Sequence, residues 1–183
     1  MWKEVFPEYA VKQSFREQNL ERNDEMIVTA MQSDLVTRCL FSLLKPAMIH
    51  CMNKKRKYIN EKDIEIGKCL SIFPSQDPPE NAGHLIDSYE FIKIANEHIS
   101  LCGNYINENM KIQKENYKIS QDTMIKLQNE IEANIRGFVN KLSFYSKNNG
   151  NNAVNYKQFE QVMSIIYGDE SYTTSHHDYI PFS

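Results

Sequence analysis

A long amphipathic segment followed by a capped short segment occurs twice, and this repeat most constrains the fold of the chain. The first long segment covers about Asp24–Asn53 and the second follows Ser120, a residue suited to cap a helix. Apolar residues recur in both at three- and four-residue steps, which predicts two long helices. These positions are Val28, Met31, Leu35, Cys39, Leu43, Ala47 and Cys51 in the first segment, and Met124, Leu127, Ile131, Ile135, Phe138, Leu142 and Tyr145 in the second.

The spacing of a reciprocal helix cap follows each long segment. In such a cap an asparagine and a polar side chain three residues later each accept a hydrogen bond from the other's backbone N–H. The pairs are Asn60 with Asp63 and Asn155 with Gln158, 95 residues apart (155 minus 60). Each pair predicts a short helix, with apolar positions Ile64, Cys69, Leu70 and Phe73 in the first and Phe159, Val162, Met163, Ile166 and Tyr167 in the second.

A shorter amphipathic segment precedes each long one, at about Tyr9–Asn19 in the first half and within Tyr89–Met110 in the second. One long helix flanked by two short ones has too little contact surface to bury its own apolar face. A second copy in the same chain supplies the missing partner. We therefore predict an all-α chain of two such units that pack head to tail as an intramolecular dimer.

The proline-rich stretch FPSQDPPENAG, at 73–83, separates the two copies. Its three prolines and one glycine do not continue a helix. We expect a first unit at 1–74, a linker at 75–87, a second unit at 88–168 and a C-terminal tail at 169–183. The apolar residues of Tyr179–Phe182 favour docking of the tail on a partner.

The composition favours a helical protein of the cell interior. An apolar content of 41% is enough for a core. There is no run of eighteen apolar residues and no signal-peptide layout, so we expect neither a membrane span nor a secretory leader. The cysteines form no C-x-x-C pair, and we expect buried reduced thiols rather than disulfides or metal ligands. They are Cys39, Cys51, Cys69 and Cys102.

The charge is distributed unevenly along the chain. The net charge is −3, but residues 1–75 hold 12 Lys/Arg against 10 Asp/Glu, whereas residues 76–183 hold 9 against 14. A protein that coats DNA alone is normally strongly basic, because neutralised phosphates supply most of the affinity. The overall charge therefore argues against that role.

The stretch NKKRKYINEKDIEI resembles the loop that follows the long central helix of the core histones. In that family the helix ends in a basic loop, followed by a β-branched step and an acidic residue early in the next helix. Arg56, Ile59 and Asp63 occupy these positions, and the chain is also similar at Ile49–His50. The resemblance implies a histone fold in which an ion pair between Arg56 and Asp63 locks the loop.

The second copy is similar in helix lengths and in the phase of its apolar residues, but its loop is neutral. Asn151 and Gln158 occupy the positions of the arginine and the acid. Two histone folds in one chain resemble the histone doublets of large double-stranded DNA viruses. The resemblance implies an architectural protein of nucleosome-like or chromatin-like assemblies, in the nucleus, a viral factory or a virion. Its expected partners are duplex DNA and other histone-fold proteins.

The chain departs from packaging histones in three respects. It has no long basic tails, its total charge is acidic, and Pro46 lies inside the first long helix. Proline removes one backbone hydrogen bond and is expected to kink that helix. These departures count against nucleosome-like wrapping of DNA more than they count against the fold.

The basic residues next to the loops are the candidate DNA contacts. In the loop itself, phosphate contact by the lysines and a structural pair between Arg56 and Asp63 can hold together, and a purely solvated turn is the alternative. The helix that follows Ser120 can bind phosphate through its free N–H groups, and an ordinary solvated loop at this place is the alternative. The candidates are Lys54, Lys55, Arg56, Lys57, Lys12, Arg16, Arg22, Lys111, Lys114, Lys118 and Lys147.

A second hypothesis belongs to a different class of function. The chain would be an acidic histone-fold scaffold, like the subunits of transcription complexes or a structural subunit of a virion, with little or no direct DNA contact. The distribution of charge separates the two hypotheses. A continuous arc of basic residues favours DNA binding, whereas acidic side chains that interrupt the arc favour the scaffold.

No catalytic pattern emerges from the sequence. There is no glycine-rich phosphate loop, nucleophile elbow or His-Glu-x-x-His pattern, so we expect no enzyme, no cofactor and no small-molecule substrate. His176 and His177 have no third and fourth ligand at suitable spacing in the tail, so we expect no metal site there.

Overall fold

A computed structural model describes residues 6–22, 25–110, 116–148, 150 and 153–168. Within these ranges the chain forms six helices, counting Glu25–Asn53 as one, and four strands of two residues each. The predicted all-α class is therefore confirmed. Several predictions fall outside the described residues, namely those on Lys111, Lys114, Asn151, His176, His177 and the tail at 169–183.

The first half contains three helices and two strands. These are α1 (Glu8–Glu17), β1 (Glu21–Arg22), α2 (Glu25–Asn53), β2 (Tyr58–Ile59) and α3 (Glu61–Leu70). The two helices predicted before the basic loop are confirmed to within two residues at each end.

The second half repeats this order. Its elements are α4 (Ser88–Asn109), β3 (Lys118–Ile119), α5 (Gln121–Asn148), β4 (Ala153–Val154) and α6 (Tyr156–Tyr167). The helices predicted after Ser120 and Asn155 are confirmed. However, α4 is 22 residues long, whereas the sequence led us to expect a short segment.

The length of α4 follows from a capped start and an uninterrupted apolar face. The Asp87 carboxylate accepts hydrogen bonds from the N–H groups of Tyr89 and Glu90, at 3.0 and 3.2 Å. The apolar residues buried on the helix are Phe91, Ala95, Ile99, Cys102 and Ile106. This face lies along α2, where the ring centroids of Phe41 and His98 are 5.0 Å apart. Packing against α2 therefore stabilises the helix over its whole length.

The strands pair crosswise between the two halves. β1 pairs in parallel with β4, and β2 pairs in parallel with β3. Each long helix therefore has one strand pair at its beginning and the other at its end. At 1.5 Å per residue, the 28 residues of α5 span about 42 Å, so the pairs lie at opposite ends of the molecule. We call β2, β3 and their adjacent loops the basic end, and β1, β4 and their adjacent loops the neutral end.

The predicted apolar faces of the two long helices form the core. All seven predicted positions of α2 are buried, as are six of the seven in α5, while Tyr145 is half-buried. α2 is long and apolar enough to pass a test for a membrane-crossing helix by length and composition, but 78% of its most apolar window is buried inside the protein. A helix in the core of a folded protein can have the same length and apolar composition.

The irregular part of α2 does not coincide with Pro46. The helix continues in α geometry through Pro46, from Val36 to Asn53, and a π-helical turn occupies Met31–Leu35 instead. Three hydroxyl side chains around that turn donate to the carbonyl four residues before, namely those of Thr29, Ser33 and Thr37. Such bonds compete with the backbone ladder and favour local widening of a helix.

The linker packs against α5. The Gln76 N–H donates to the Ala133 carbonyl at 3.0 Å, and the Asn134 amide donates to Ser75 Oγ at 3.1 Å. A Cβ at Gly137 would collide with the Pro74 carbonyl, so only glycine permits this close approach. Residues 71–87 form no helix or strand, while the exact boundaries of the two units remain a prediction.

A buried ion network joins the first helix to the second half. Arg136 lies 2.8 Å from the Glu17 carboxylate of α1, and both side chains are almost fully buried. The Arg136 guanidinium also donates to the Gly83 carbonyl, while Glu132 accepts a hydrogen bond from the Ile86 N–H. Because the partners belong to α1, the linker and α5, the network fixes the two halves against each other.

The end of α3 differs from the prediction. The helix ends at Leu70, so Phe73 is buried but lies outside it. Cys69 and Leu70 belong to the helix as predicted, but Leu70 is 63% exposed, and Cys69 is exposed, so the prediction of a buried thiol is wrong at Cys69. Gly67 lies on the face of the helix that packs on α2, next to the Leu43 carbonyl, and Cys69 lies about 200° further round the helix. The other three cysteines are buried free thiols, as predicted.

Candidate nucleic-acid interface

The basic loop is held by a network centred on Asp63. Arg56 donates two hydrogen bonds to this carboxylate, each 2.9 Å long, and Asp63 is fully buried. The Asn60 N–H donates to the same carboxylate at 2.9 Å, and His50 Nδ1 lies 2.6 Å from it. The ion pair that the resemblance implies is therefore present, and it spans the loop from Arg56 to α3.

The electrostatics of the network favour its charged form. Burial raises the pKa of the Asp63 carboxyl, but hydrogen bonds from Arg56, the Asn60 N–H and His50 outweigh burial, so this pKa is lowered overall. The hydrogen bond to Asp63 raises the pKa of Arg56. Arg56 is thus committed to a structural role, and its two bonds to Asp63 leave the lysines as the exposed charges of the loop.

The backbone of the loop is fixed by short-range bonds. The Cys51 Sγ lies 3.2 and 3.3 Å from the carbonyl oxygens of Arg56 and Tyr58, which share its one S–H donor, and burial raises the pKa of this thiol to about 11. Lys55 has a φ of 56°, in the left-handed region, which closes the turn. The side chains of Lys54, Lys55 and Lys57 are exposed on this fixed turn.

The pairing of β2 with β3 adds a fourth lysine and a helix start to the basic loop. The Lys118 N–H donates to the Lys57 carbonyl at 2.9 Å. Two residues later, Ser120 caps α5 by accepting a hydrogen bond from the Thr123 N–H at 3.3 Å. The N-terminus of the 28-residue helix α5 therefore lies next to the lysines, where its free N–H groups and its dipole favour an anion.

Four of the other basic candidates lie elsewhere in the described part of the molecule. Lys12 pairs with Glu8 on α1 at 3.1 Å, and Arg16 is exposed in the last turn of the same helix. Arg22 lies in β1 and Lys147 is exposed near the end of α5, so both belong to the neutral end. The structure therefore joins Lys54, Lys55, Lys57 and Lys118 into one group and does not bring these four residues into it.

The two ends carry different charge. At the basic end, residues 53–63 and 110–121 hold eight Lys/Arg against three Asp/Glu. In the sequence, the corresponding stretches of the neutral end, 15–26 and 148–158, hold three Lys/Arg against four Asp/Glu, and Lys147 adjoins the second stretch. The geometry of the cap is nevertheless the same, because Asn155 and Gln158 exchange hydrogen bonds of 3.1 and 2.9 Å, as Asn60 and Asp63 do. In the described residues, the two ends therefore share the strand pairing and the cap geometry, and their sequences differ in charge.

Two residues of this region were not found by reasoning from the sequence. His50 was noted for its similarity to the histones and not as a partner of Asp63, which it reaches only because α2 and α3 fold against each other. Tyr58 is 58% exposed beside Lys118. Its exposure follows from the alternation of side chains in a strand, because its neighbour Ile59 is buried.

Comparisons with known proteins assign no family to this chain, because no family model matches it and curated proteins give no significant match. Among the described residues, no group of three or more His, Cys, Asp or Glu side chains is arranged to hold a metal ion. The functional argument therefore depends on the geometry and charge of the two ends.

Proposed function

We propose that this protein is a histone-fold doublet that binds duplex DNA without sequence preference, as an architectural subunit of a chromatin-like assembly. The observation that carries the proposal is the pairing of β2 with β3. It assembles Lys54, Lys55, Lys57 and Lys118 at the N-terminus of α5. The proposal implies a location where DNA is organised, which is the nucleus, a viral factory or a virion.

The fold part of the proposal is supported by the crosswise connection of the two halves. Each half runs helix, strand, long helix, strand and helix, and each strand pairs with the opposite strand of the other half. The ion pair between Arg56 and Asp63 stands where the core-histone resemblance requires it. These features are what two histone folds paired within one chain would have in common.

The DNA part of the proposal is supported by the chemistry of the basic end. Lysine is a strongly hydrated point charge that suits phosphate oxygens, and the four lysines surround a helix start that also attracts anions. Neither group selects a base, so binding without sequence preference is expected. If all four lysines contact phosphates, the logarithm of the binding constant should fall against the logarithm of salt with a slope of about −3.6.

The acidic total charge gives this subunit a limited share of the DNA contact. With only one basic end and a net charge of −3, the chain would hold DNA at one place and rely on more basic histone-fold partners for the rest. Those partners would be the other proteins of the same assembly.

The second candidate function is a histone-fold scaffold that binds proteins and contacts DNA weakly or not at all. The observation that favours it is that the basic candidates do not form one continuous arc, because Arg16, Arg22 and Lys147 lie outside the lysine group of the basic end. In this case the basic turn would be a solvated surface of the network around Asp63.

Salt-dependent binding to a duplex separates the two functions. Binding should be measured by fluorescence anisotropy for the wild type and for Lys54→Gln/Lys55→Gln/Lys57→Gln, which is expected to make the slope less steep by up to about three units. The matched control is Lys93→Gln/Lys141→Gln/Lys157→Gln, which removes the same charge from exposed lysines elsewhere. A wild-type slope near zero would favour the scaffold, and equal effects of the two triple variants would remove the basic loop from the interface.

A further inference from the structure

Tyr58 is a large aromatic side chain that the fold exposes in the middle of the lysine group. It lies on β2 between the basic loop and β3, and 58% of it is exposed. The Lys118 Nζ lies 6.0 Å from the centroid of its ring, and Lys57 precedes it in the chain. Surfaces that bind single-stranded nucleic acid combine exposed aromatic rings, on which bases stack, with cations that hold phosphates. Proteins that bind the duplex minor groove also insert side chains between or beside the bases.

The backbone of Tyr58 is held in place independently of its ring. Its carbonyl accepts hydrogen bonds from Arg56 Nη1 at 2.9 Å and from the Cys51 thiol at 3.3 Å. The next residue, Ile59, is 1% exposed and anchors the strand in the core. Because neighbouring side chains of a strand point to opposite faces, the buried Ile59 directs the Tyr58 ring outward. The ring is therefore presented to solvent on a rigid support.

We propose that Tyr58 is a DNA-contacting residue whose ring packs against the sugars and base edges of the duplex minor groove, between phosphates held by Lys54, Lys55, Lys57 and Lys118. Apolar side chains that enter the minor groove are a known means of binding DNA without reading a sequence. The inference rests on the proposed function, and it adds a contact that is not ionic. Salt therefore distinguishes it from the contacts of the lysines.

The test compares Tyr58→Ala with Tyr89→Ala. Tyr89 is a matched control, because it is 67% exposed and its ring lies 4.5 Å from the Lys93 Nζ, but it stands at the start of α4 beside Asp87 and Glu90. Tyr58→Ala should weaken binding to a duplex by about tenfold at every salt concentration, with the salt slope unchanged. Tyr58→Phe should bind like the wild type, and Tyr89→Ala should have no effect.

Several outcomes would overturn the inference. One is that Tyr58→Ala binds the duplex as tightly as the wild type. Another is that Tyr58→Ala changes only the salt slope, because this would mean that the ring merely positions Lys118. A larger loss with a single strand than with the duplex would assign the ring to unpaired bases. If the wild type itself shows no salt-dependent binding to DNA, the proposed function is wrong. That result is distinguishable from a wild type that binds DNA and a Tyr58→Ala variant that binds equally well.

Fluorescence gives a second measurement that does not depend on affinity. Trp2 is the only tryptophan of the chain, so Tyr58→Trp adds one reporter at the surface of β2. Its emission should be quenched when a saturating duplex is added, relative to the wild type under the same conditions. Equal emission changes in the two proteins would place the ring outside the interface. Circular dichroism of each variant checks that the fold is intact.

Discussion

The basic and neutral ends of the molecule share one backbone design and differ in charge. Each end pairs two short parallel strands and starts a helix with a reciprocal cap. Each also has a residue of positive φ at the same offset from its cap, Lys55 at 56° and Gly150 at 72°. Only the basic end adds the ion pair at Asp63 and the group of exposed lysines at 54, 55, 57 and 118. The comparison teaches that the cap geometry does not require the charge, which leaves the lysines free for binding.

The two caps also differ in what they fasten. At the neutral end, Gln158 is a neutral side chain that accepts one hydrogen bond from the Asn155 N–H. At the basic end, the buried Asp63 carboxylate accepts the equivalent hydrogen bond from the Asn60 N–H. The same carboxylate also contacts Arg56 and His50. A buried charge that holds several partners costs more to remove than a neutral cap.

The largest expected difference between the ends is therefore one of stability. Asp63→Ala should lower the free energy of unfolding by about 3 kcal/mol, because it leaves Arg56 and the cap without their partner. Gln158→Ala, the same truncation at the neutral end, should cost about 1 kcal/mol. Urea unfolding followed by circular dichroism measures both. Equal losses would show that the ion pair adds nothing to the cap.

The second difference can be tested by giving the neutral end the charge that it lacks. Asn149→Lys/Asn151→Arg/Asn152→Lys has the offsets of Lys54, Arg56 and Lys57 and keeps Gly150. The salt slope should become steeper by up to about three units. Because the ends are about 42 Å apart and DNA rises about 3.4 Å per base pair, affinity should then increase up to duplexes of about 12 base pairs.

The control for this graft carries glutamine at the same three positions. It should bind like the wild type. Because only one end of the wild type contacts DNA, its affinity should stop increasing at a shorter duplex length than that of the grafted protein. Binding measured by anisotropy on duplexes of increasing length decides the matter. A grafted protein with the wild-type slope would mean that the neutral end cannot reach DNA whatever its charge.

The smallest expected difference concerns the two residues of positive φ. A side chain with a Cβ is strained in this region, by roughly 1–2 kcal/mol in helical geometry, whereas glycine is not. Lys55→Gly should therefore leave stability unchanged or raise it by a few tenths of a kcal/mol, and Gly150→Ala should lower it by about 1 kcal/mol. Thermal unfolding measures both changes. A stabilised Gly150→Ala variant would contradict the equivalence of the two turns.

Much of the fold could be predicted from local patterns. The apolar steps of α2 and α5 and the cap pairs at Asn60 and Asn155 depend on neighbours within a few residues, and all of them appear in the structure. The errors occurred where packing over a distance decides. The long α4 packs along α2, and Cys69 is exposed on α3 although its apolar neighbour Ile64 is buried.

The candidate site was predictable in its charges and not in its assembly. The lysines at 54, 55 and 57 are visible in the sequence as one basic run, but Lys118 is 61 residues from Lys57 and joins them only through the pairing of β2 with β3. Lys12, Arg16, Arg22 and Lys147 looked equally basic, yet the fold distributes them over α1 and the neutral end. Net charge on a segment does not reveal which segments meet.

The sequence by itself determined the helices, their caps and the concentration of positive charge in one turn, because apolar periodicity and capping are local properties of the chain. Only the tertiary structure decided which loops stand together, since crosswise strand pairing joins residues that no local pattern connects. It also decided that Arg56 holds Asp63 while the neighbouring lysines and Tyr58 remain exposed. The division of the basic loop into a structural arginine and exposed candidate contacts is thus a consequence of burying one carboxylate.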